Sequence, residues 1–224
     1  MTKAVILLSG GLDSTVVLAL ALARGCQCYT LSFNYGQRHI IELQAAKEIA
    51  TYYQVSHQII TIDPFAFSHS ALVSRKENPA HTSLLEIKQQ NIPNTYVPAR
   101  NTILLSYALG FCELYQAQEI HFGANLYDRY GYPDCRPAYL EAFQNVMNLA
   151  TKQAVDGFPP QLVTPLENWD KEIIIKKGME LNAPLDLTIS CYNPSEIKQA
   201  CKQCNACMLR EEGFQKALFA SNNC

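Results

Sequence analysis

Apolar residues along the chain alternate between short runs of strand length and longer stretches of helical period. Five consecutive apolar residues follow Lys3 and end at Leu8, before Gly10-Gly11. Such a β-branched, continuously apolar run suits a strand buried on both faces. Ser14 to Arg24 (STVVLALALAR) is Ala/Leu-rich and followed by Gly25. The spacing predicts a helix closed by a left-handed glycine, with Arg24 at its negative end. Cys26–Phe33 predicts a second strand. Ile40–Gln54 predicts a helix with Ile41, Ala45, Ile49 and Tyr52 or Tyr53 on one face, and His57–Ile62 a third strand.

The stretch from Asp63 to Pro98 holds four prolines and no sustained period, apart from a candidate short helix over Thr82–Gln90. An excursion of that length in a compact domain suits a lid or binding loop. Regular pattern returns with a helix over Asn101–Tyr115 and a strand over Glu119–Ala124. Pro137 suits the first position of a helix running to about Ala150. Val163-Thr164 is a candidate fifth strand, and Asp170 a candidate cap for a helix ending near Asn182, before Pro184. Strands alternating with helices predict an α/β fold with a doubly wound parallel sheet. No internal repeat is visible.

Composition narrows the class. With 224 residues, 48% hydrophobic and 17% charged, the chain has ample material for a core and is unlike a disordered sequence. A net charge of −2 gives no bulk attraction to nucleic acid or membrane. The N-terminal apolar run is too short for a signal-peptide core, and the longest later one, Val16–Ala23, spans eight residues, against roughly 20 for a membrane span. These features predict a cytoplasmic chain without a membrane partner, whose cysteines stay reduced.

The first strand and helix enclose Ser9-Gly10-Gly11-Leu12-Asp13-Ser14. Two glycines let the backbone approach a bulky anion, two hydroxyls donate, and a helix N-terminus offers oriented N–H groups. An acid here would repel phosphate unless a cation intervened, so Asp13 is a candidate Mg²⁺ holder. The segment matches neither the Walker nor the dinucleotide fingerprint. It resembles the S-G-G-x-D-S loop of the PP-loop ATP pyrophosphatases, in which the loop holds the β,γ-pyrophosphate of ATP while a substrate oxygen attacks the α-phosphorus.

Four of the nine cysteines, Cys191, Cys201, Cys204 and Cys207, fall within 17 residues. Four thiolates in C-x9-C-x2-C-x2-C spacing suit one structural, tetrahedral Zn²⁺. An iron–sulfur cluster remains the alternative, although the Cys-Pro ending of the ferredoxin run is missing. Cys26, Cys28, Cys112, Cys135 and Cys224 read as buried thiols, with Cys135 close to a candidate binding loop. Residues 196–224 hold four basic and three acidic side chains, too balanced for a phosphate footprint. The expected division is therefore an ATP-binding catalytic domain over 1–185 and a zinc-binding module over 186–224 that clamps onto it.

Several loops are unusually polar: Phe33-Asn-Tyr-Gly-Gln-Arg-His39, Pro93-Asn-Thr-Tyr-Val-Pro-Ala-Arg-Asn101, Gly131-Tyr-Pro-Asp-Cys-Arg136 and Ser190-Cys191-Tyr192-Asn193. With the phosphate loop and the cysteine tail, they resemble the 7-cyano-7-deazaguanine synthases of queuosine biosynthesis, from about Val5 to about Gly213. Ala99 departs from the glycine that family carries before its Arg-Asn pair. The resemblance implies an ATP-dependent ligase, a nitrile-forming synthase acting on 7-carboxy-7-deazaguanine and ammonia through an activated carboxylate and an amide. It implies ATP contacts from Leu8, Ser9, Gly10, Gly11, Leu12, Asp13, Ser14, Thr15, Phe33 and Gly123, and catalytic roles for Asp13 and Arg100. Tyr35, Gln37, Arg38, Asn101, Tyr132, Asp134 and Arg136 are the expected substrate-binding residues, Tyr35 or Tyr132 stacking on the base and Asp134 accepting from its guanidine-like edge. It further implies zinc as structural cofactor, MgATP as co-substrate, no direct nucleic-acid partner and a homodimer.

Two other readings stay open. Another PP-loop enzyme, such as a tRNA thiolase or an ammonia-dependent amide synthetase, would share the loop, and a loop cysteine such as Cys135 keeps the thiolase in view. A non-catalytic zinc-dependent nucleotide- or RNA-binding protein would bind ATP without turning it over.

Overall fold

A computed structural model describes residues 1–37, 41–63, 67, 70–73, 92–192 and 200–221. The expected helix over 82–90 and residues Arg38, Asn193 and Cys224 lie outside the described residues.

Alternation along the first strand sets the layers. β1 (Lys3–Leu7) sends Val5 and Leu7 to one face of the sheet and Ala4 and Ile6 to the other, all buried. It pairs in parallel with β2 (Gln27–Asn34) and β4 (Glu119–His121), and these pair outward with β3 (Ser56–Thr61) and β5 (Gln161–Val163). The order β3-β2-β1-β4-β5 is that of a doubly wound sheet, which reverses direction between β1 and β4.

Helices cover both faces. α1 (Leu12–Ala23), α2 (Ile41–Tyr52) and α5 (Lys171–Glu180) close one core with Val16, Val17, Ala46, Ile49, Ile174 and Ile175. α3 (Arg100–Tyr115) and α4 (Pro137–Met147) close the other with Leu105, Ala108, Leu140, Phe143 and Met147. α6 (Asn205–Ser221) lies against α5, with Phe214 and Ala217 joining the first core.

Local chemistry agrees with these bounds. Gly25 follows α1 at φ +78°, and Pro137 opens α4. Asp170 caps α5 by accepting the Ile173 N–H at 2.9 Å. At the end of α2, Tyr53, just past the helix, rather than Tyr52 packs toward the core, since Tyr52 is 55% exposed. The fourth strand is shorter than its apolar run: after His121 only the Phe122 N–H still reaches across, to the Val163 carbonyl at 2.9 Å. Phe122, Gly123 and Ala124 then turn over the carboxyl ends of the strands and line the central cavity. Arg24 does not serve its helix end; its guanidinium pairs with Glu119, whose other contact is the buried His121.

Candidate active site

At the β1/β4 switch point the chain leaves both strands into loops, and between them opens a cavity of about 300 Å³. Such a crevice is where open α/β sheets bind ligands. The β1 side is the Ser9–Ser14 loop. Its hydroxyls hold it in shape: Ser9 N–H donates to Ser14 Oγ at 3.1 Å, and Ser14 Oγ donates to the Gly11 carbonyl at 3.0 Å. The N-cap of α1 is Gly11, so no side chain satisfies the first-turn N–H groups. They are left for an anion. Gly10 sits at φ +85°, and a Cβ there would run into the Glu42 carbonyl and come 2.8 Å from the Ala46 nitrogen. The glycine is therefore what lets the loop lie against α2. From the β4 side Gly123 comes close enough that a Cβ would stand 3.5 Å from the Ser14 nitrogen.

Asp13 projects from the first turn of α1 into an ion pair. Lys171 Nζ lies 2.7 and 2.6 Å from its two oxygens, and Asn125 Nδ2 donates to Oδ2 at 3.0 Å. Asn125 N–H in turn donates to Asp128 Oδ2 at 3.0 Å. Burial pushes the Asp128 carboxyl up to about 6, against the pull of Lys171 and with the push of Asp13. Two acids and one lysine thus face the phosphate loop.

The opposite end of the cavity is aromatic and cationic. Arg100, on the first turn of α3, donates from Nη1 to Tyr35 Oη at 3.3 Å and from Nε to Asn101 Oδ1 at 3.2 Å. Its guanidinium stands 5.9 Å from the Tyr35 ring centroid, within cation–π range. Tyr132 Oη is 2.9 Å from Thr95 Oγ1. Glu42, in the first turn of α2, also faces the cavity, and burial lifts its carboxyl to about 7 despite the nearby charge of Arg100.

The segment before the cysteines closes the roof. Ile189 N–H donates to the Gly10 carbonyl at 2.9 Å. Arg210 of α6 donates to Thr188 Oγ1 (2.7 Å), Ser190 Oγ (3.1 Å) and the Leu185 carbonyl (2.9 Å). Beyond it the sulfur atoms of Cys191, Cys201, Cys204 and Cys207 all lie within 4.8 Å of one another. Cys201 Sγ and Cys207 Sγ are 4.0 Å apart, close to the separation of about 3.8 Å that tetrahedral bonds of about 2.3 Å give. Backbone N–H groups of Tyr192, Cys201 and Cys204 point at Cys204, Cys191 and Cys201 sulfurs. Burial pushes the Cys201 thiol up, but N–H groups of Gln203 and Cys204 outweigh it and draw it down to about 7. Convergent sulfurs with N–H donors are what a metal-bound thiolate set requires.

The profile of a family described as "Queuosine biosynthesis protein QueC" matches residues 3–218. The chain belongs to this family. It is 46% identical over 219 residues to the 7-cyano-7-deazaguanine synthase of Pseudomonas fluorescens, covering 97% of this chain and 96% of that one. It is 48% identical over 217 residues to the 7-cyano-7-deazaguanine synthase of Desulfatibacillum aliphaticivorans, covering 96% and 93%. Among solved structures it resembles a "predicted subunit of tRNA methyltransferase" from Methanocaldococcus jannaschii, with a TM-score of 0.50, 17% identity and coverage of 80% and 75%. That last likeness concerns the fold.

In this QueC-family chain the expected residues divide into three groups. Leu8, Ser9, Gly11, Leu12, Asp13, Ser14, Phe33, Tyr35, Gln37, Arg100, Asn101, Gly123 and Tyr132 line the cavity together. Gly10, Thr15, Asp134 and Arg136 are not part of that lining. Thr15 Oγ1 donates to the Gly11 carbonyl at 2.9 Å, bracing the loop. Asp134 is 5% exposed, and its Oδ2 accepts the Asn101 N–H at 3.0 Å, so it holds the start of α3. Arg38 lies outside the described residues. Gln37 lines the cavity but is spent on its own loop, donating to the Phe33 carbonyl and accepting from Tyr35 N–H, both at 2.9 Å.

Cys135 also lines the cavity, yet it is buried, burial pushes its thiol well up, and its sulfur accepts from Asn101 Nδ2 at 3.2 Å. It has the setting of an inert thiol. Lys171, Glu42, Asp128 and Arg210 are cavity residues that sequence reasoning missed. No motif marks them: each reads as an ordinary charged position on a helix or in a loop.

Among the described residues, no helix is long and apolar enough to cross a membrane.

Proposed function

We propose that the chain converts 7-carboxy-7-deazaguanine and ammonia into 7-cyano-7-deazaguanine at the expense of ATP. The observation that carries this reading is the braced Ser9–Ser14 loop at the sheet's switch point, opening onto one cavity with Arg100, in a chain of the QueC family. In the first half-reaction a carboxylate oxygen of the substrate attacks the α-phosphorus and pyrophosphate leaves. Ammonia then attacks the acyl carbon, a proton is lost and AMP departs, giving the amide. A second ATP activates the amide oxygen; loss of AMP and the two N–H protons gives the nitrile.

The residues have matching tasks. The loop N–H groups and hydroxyls bind the β,γ-phosphates. Arg100 takes the substrate carboxylate or the α-phosphate, where negative charge builds in each transition state. Asp13 holds the Mg²⁺ that travels with ATP, an ion that neutralises phosphate charge. Lys171, which pairs with Asp13 here, is a second cation beside the phosphate loop. Tyr35 and Tyr132 supply flat surfaces for the base, with Asn101 beside them.

The four cysteines hold one structural zinc, and residues 186–224 act as a module clamped to the catalytic part of 1–185. Small-molecule substrates, ammonia arriving free or from a partner protein, a cytoplasmic setting and pairing into homodimers complete the proposal. The deciding experiment incubates the protein with MgATP, ammonium and 7-carboxy-7-deazaguanine and follows the products by mass spectrometry. Amide followed by nitrile is expected; neither product, beside an active control, refutes it.

A further inference from the structure

Three carboxylates line the cavity among the described residues, and two of them are engaged. Asp13 is held by Lys171 and Asn125, and Asp128 accepts the Asn125 N–H. Glu42 is the third. Among the described residues it makes no hydrogen bond or ion pair, and it is half-buried on the first turn of α2, facing the cavity. Arg100 exerts its charge on Glu42 without bonding to it, two of its N–H groups going to Tyr35 and Asn101 and the others remaining for a ligand. A half-buried carboxylate facing a cavity with no protein donor keeps its acceptor oxygens for whatever occupies that cavity.

The chemistry of the missing donors is constrained. A carboxylate presents two acceptor oxygens side by side, so its best partner is a pair of parallel N–H groups. The Watson–Crick edge of an aminopyrimidinone ring offers that pair, a ring N–H and an exocyclic amine. The edge of adenine offers one amine beside a ring nitrogen that is itself an acceptor, which a carboxylate would repel. Glu42 is therefore matched to a guanine-type base and mismatched to the adenine of ATP. We propose that Glu42 reads the amino-pyrimidinone edge of the base substrate, its carboxylate accepting both N–H groups, while Arg100 faces the substrate's anionic end. This rests on the functional reading above and moves the edge-reading role from Asp134, whose carboxylate is used on the α3 backbone, to Glu42. The Glu42 backbone is fixed as well, because its carbonyl packs on Gly10 of the phosphate loop. Both substrates are thus registered on neighbouring parts of one framework.

The test compares wild type and Glu42→Gln with 7-carboxy-7-deazaguanine and with its analogue lacking the exocyclic amine. Wild type is expected to prefer the amine-bearing compound by about 10- to 100-fold in kcat/KM, the range for a hydrogen bond to a charged acceptor. Glu42→Gln should lose most of that preference, with the change in KM for the base and the KM for ATP within about twofold. Unchanged discrimination in the variant overturns the proposal. A fall in kcat at unchanged KM for the base also overturns it, since that pattern belongs to a proton-transfer group. If wild type turns over neither compound, the functional reading fails. Calorimetric binding of 7-carboxy-7-deazaguanine then decides on Glu42 alone: binding about tenfold weaker in the variant supports the proposal, and equal binding overturns it. Thermal melts of both proteins establish that the variant is folded.

Discussion

Replacing Gly10 by alanine probes the joint between the phosphate loop and α2. Two costs are separable. The first is conformational: at φ +85° an L-residue is disfavoured by about 1–2 kcal/mol. The second is steric. The new Cβ would meet the Glu42 carbonyl, the Ala46 nitrogen at 2.8 Å and the Ala45 Cβ at 3.2 Å. The first two are backbone atoms of a packed helix and have no rotamer to escape into, so about 1–3 kcal/mol more is expected. Reduced freedom of the unfolded chain returns about 0.4–1 kcal/mol, leaving a net loss of about 2–4 kcal/mol and a Tm lower by roughly 10 °C. Gly25→Ala is the internal control: its φ is +78°, but a Cβ there meets nothing within 4 Å. It carries the conformational cost alone, about 1 kcal/mol. Urea unfolding followed by circular dichroism measures both variants. Equal losses at the two sites would refute the packing argument, because the whole difference between them is the contact with α2.

Other outcomes follow from the same structure. Asp13→Asn should keep the fold and reduce turnover by at least about 100-fold; an active variant removes Asp13 from the metal role. Metal analysis should find one zinc per chain on the four cysteines, with chelation lowering the Tm and no iron charge-transfer absorption; a brown, iron-containing protein contradicts this. Glu42 has a folded pKa raised from 4.5 to about 7 by burial, so its stabilising share is full below pH 4.5 and is lost as pH rises toward 7. That shift corresponds to about 3 kcal/mol. Glu42→Gln should therefore gain stability relative to wild type between pH 5 and pH 8 in urea titrations; a difference independent of pH would show that the carboxyl titrates normally. Asp128 shifts in the same direction and contributes equally to both proteins.

What the sequence made legible was local. The strands and long helices up to α5 follow from short-range period, caps and breakers, because those signals are written within one or two turns of the element they shape; α6 (Asn205–Ser221), which shows no such period, was not foreseen. The phosphate loop and the four cysteines were legible for the same reason: their spacing is their chemistry. Long-range pairings were not. Lys171 meets Asp13 from 158 positions away, and in the sequence it is one lysine after a helix cap. Asp134 shows the converse case. Its loop neighbours made it look like a ligand, and what the fold displays is its Oδ2 accepting the Asn101 N–H at the start of α3. Ala99 sits between the two cases. The missing glycine was visible in the sequence, and the backbone there does adopt φ +52°, a conformation that costs an alanine about 1 kcal/mol. No local rule assigns Glu42 a function either, since a first-turn acid is the commonest of helix decorations.

The hydrogen bond from Ile189 to Gly10, with Arg210 buttressing the segment behind it, has a consequence for biosynthesis. The Ser9–Ser14 loop is synthesised long before Ile189 and Arg210, the residues whose contacts brace it. A nascent polypeptide can form β1, α1 and β2 early, but the central cavity stays unfinished until α5, the 185–192 segment and α6 have emerged. Late closure of so long a loop slows folding. It also means that the cavity between the Ser9–Ser14 loop and α6 is complete only on chains whose synthesis has run through the cysteine segment.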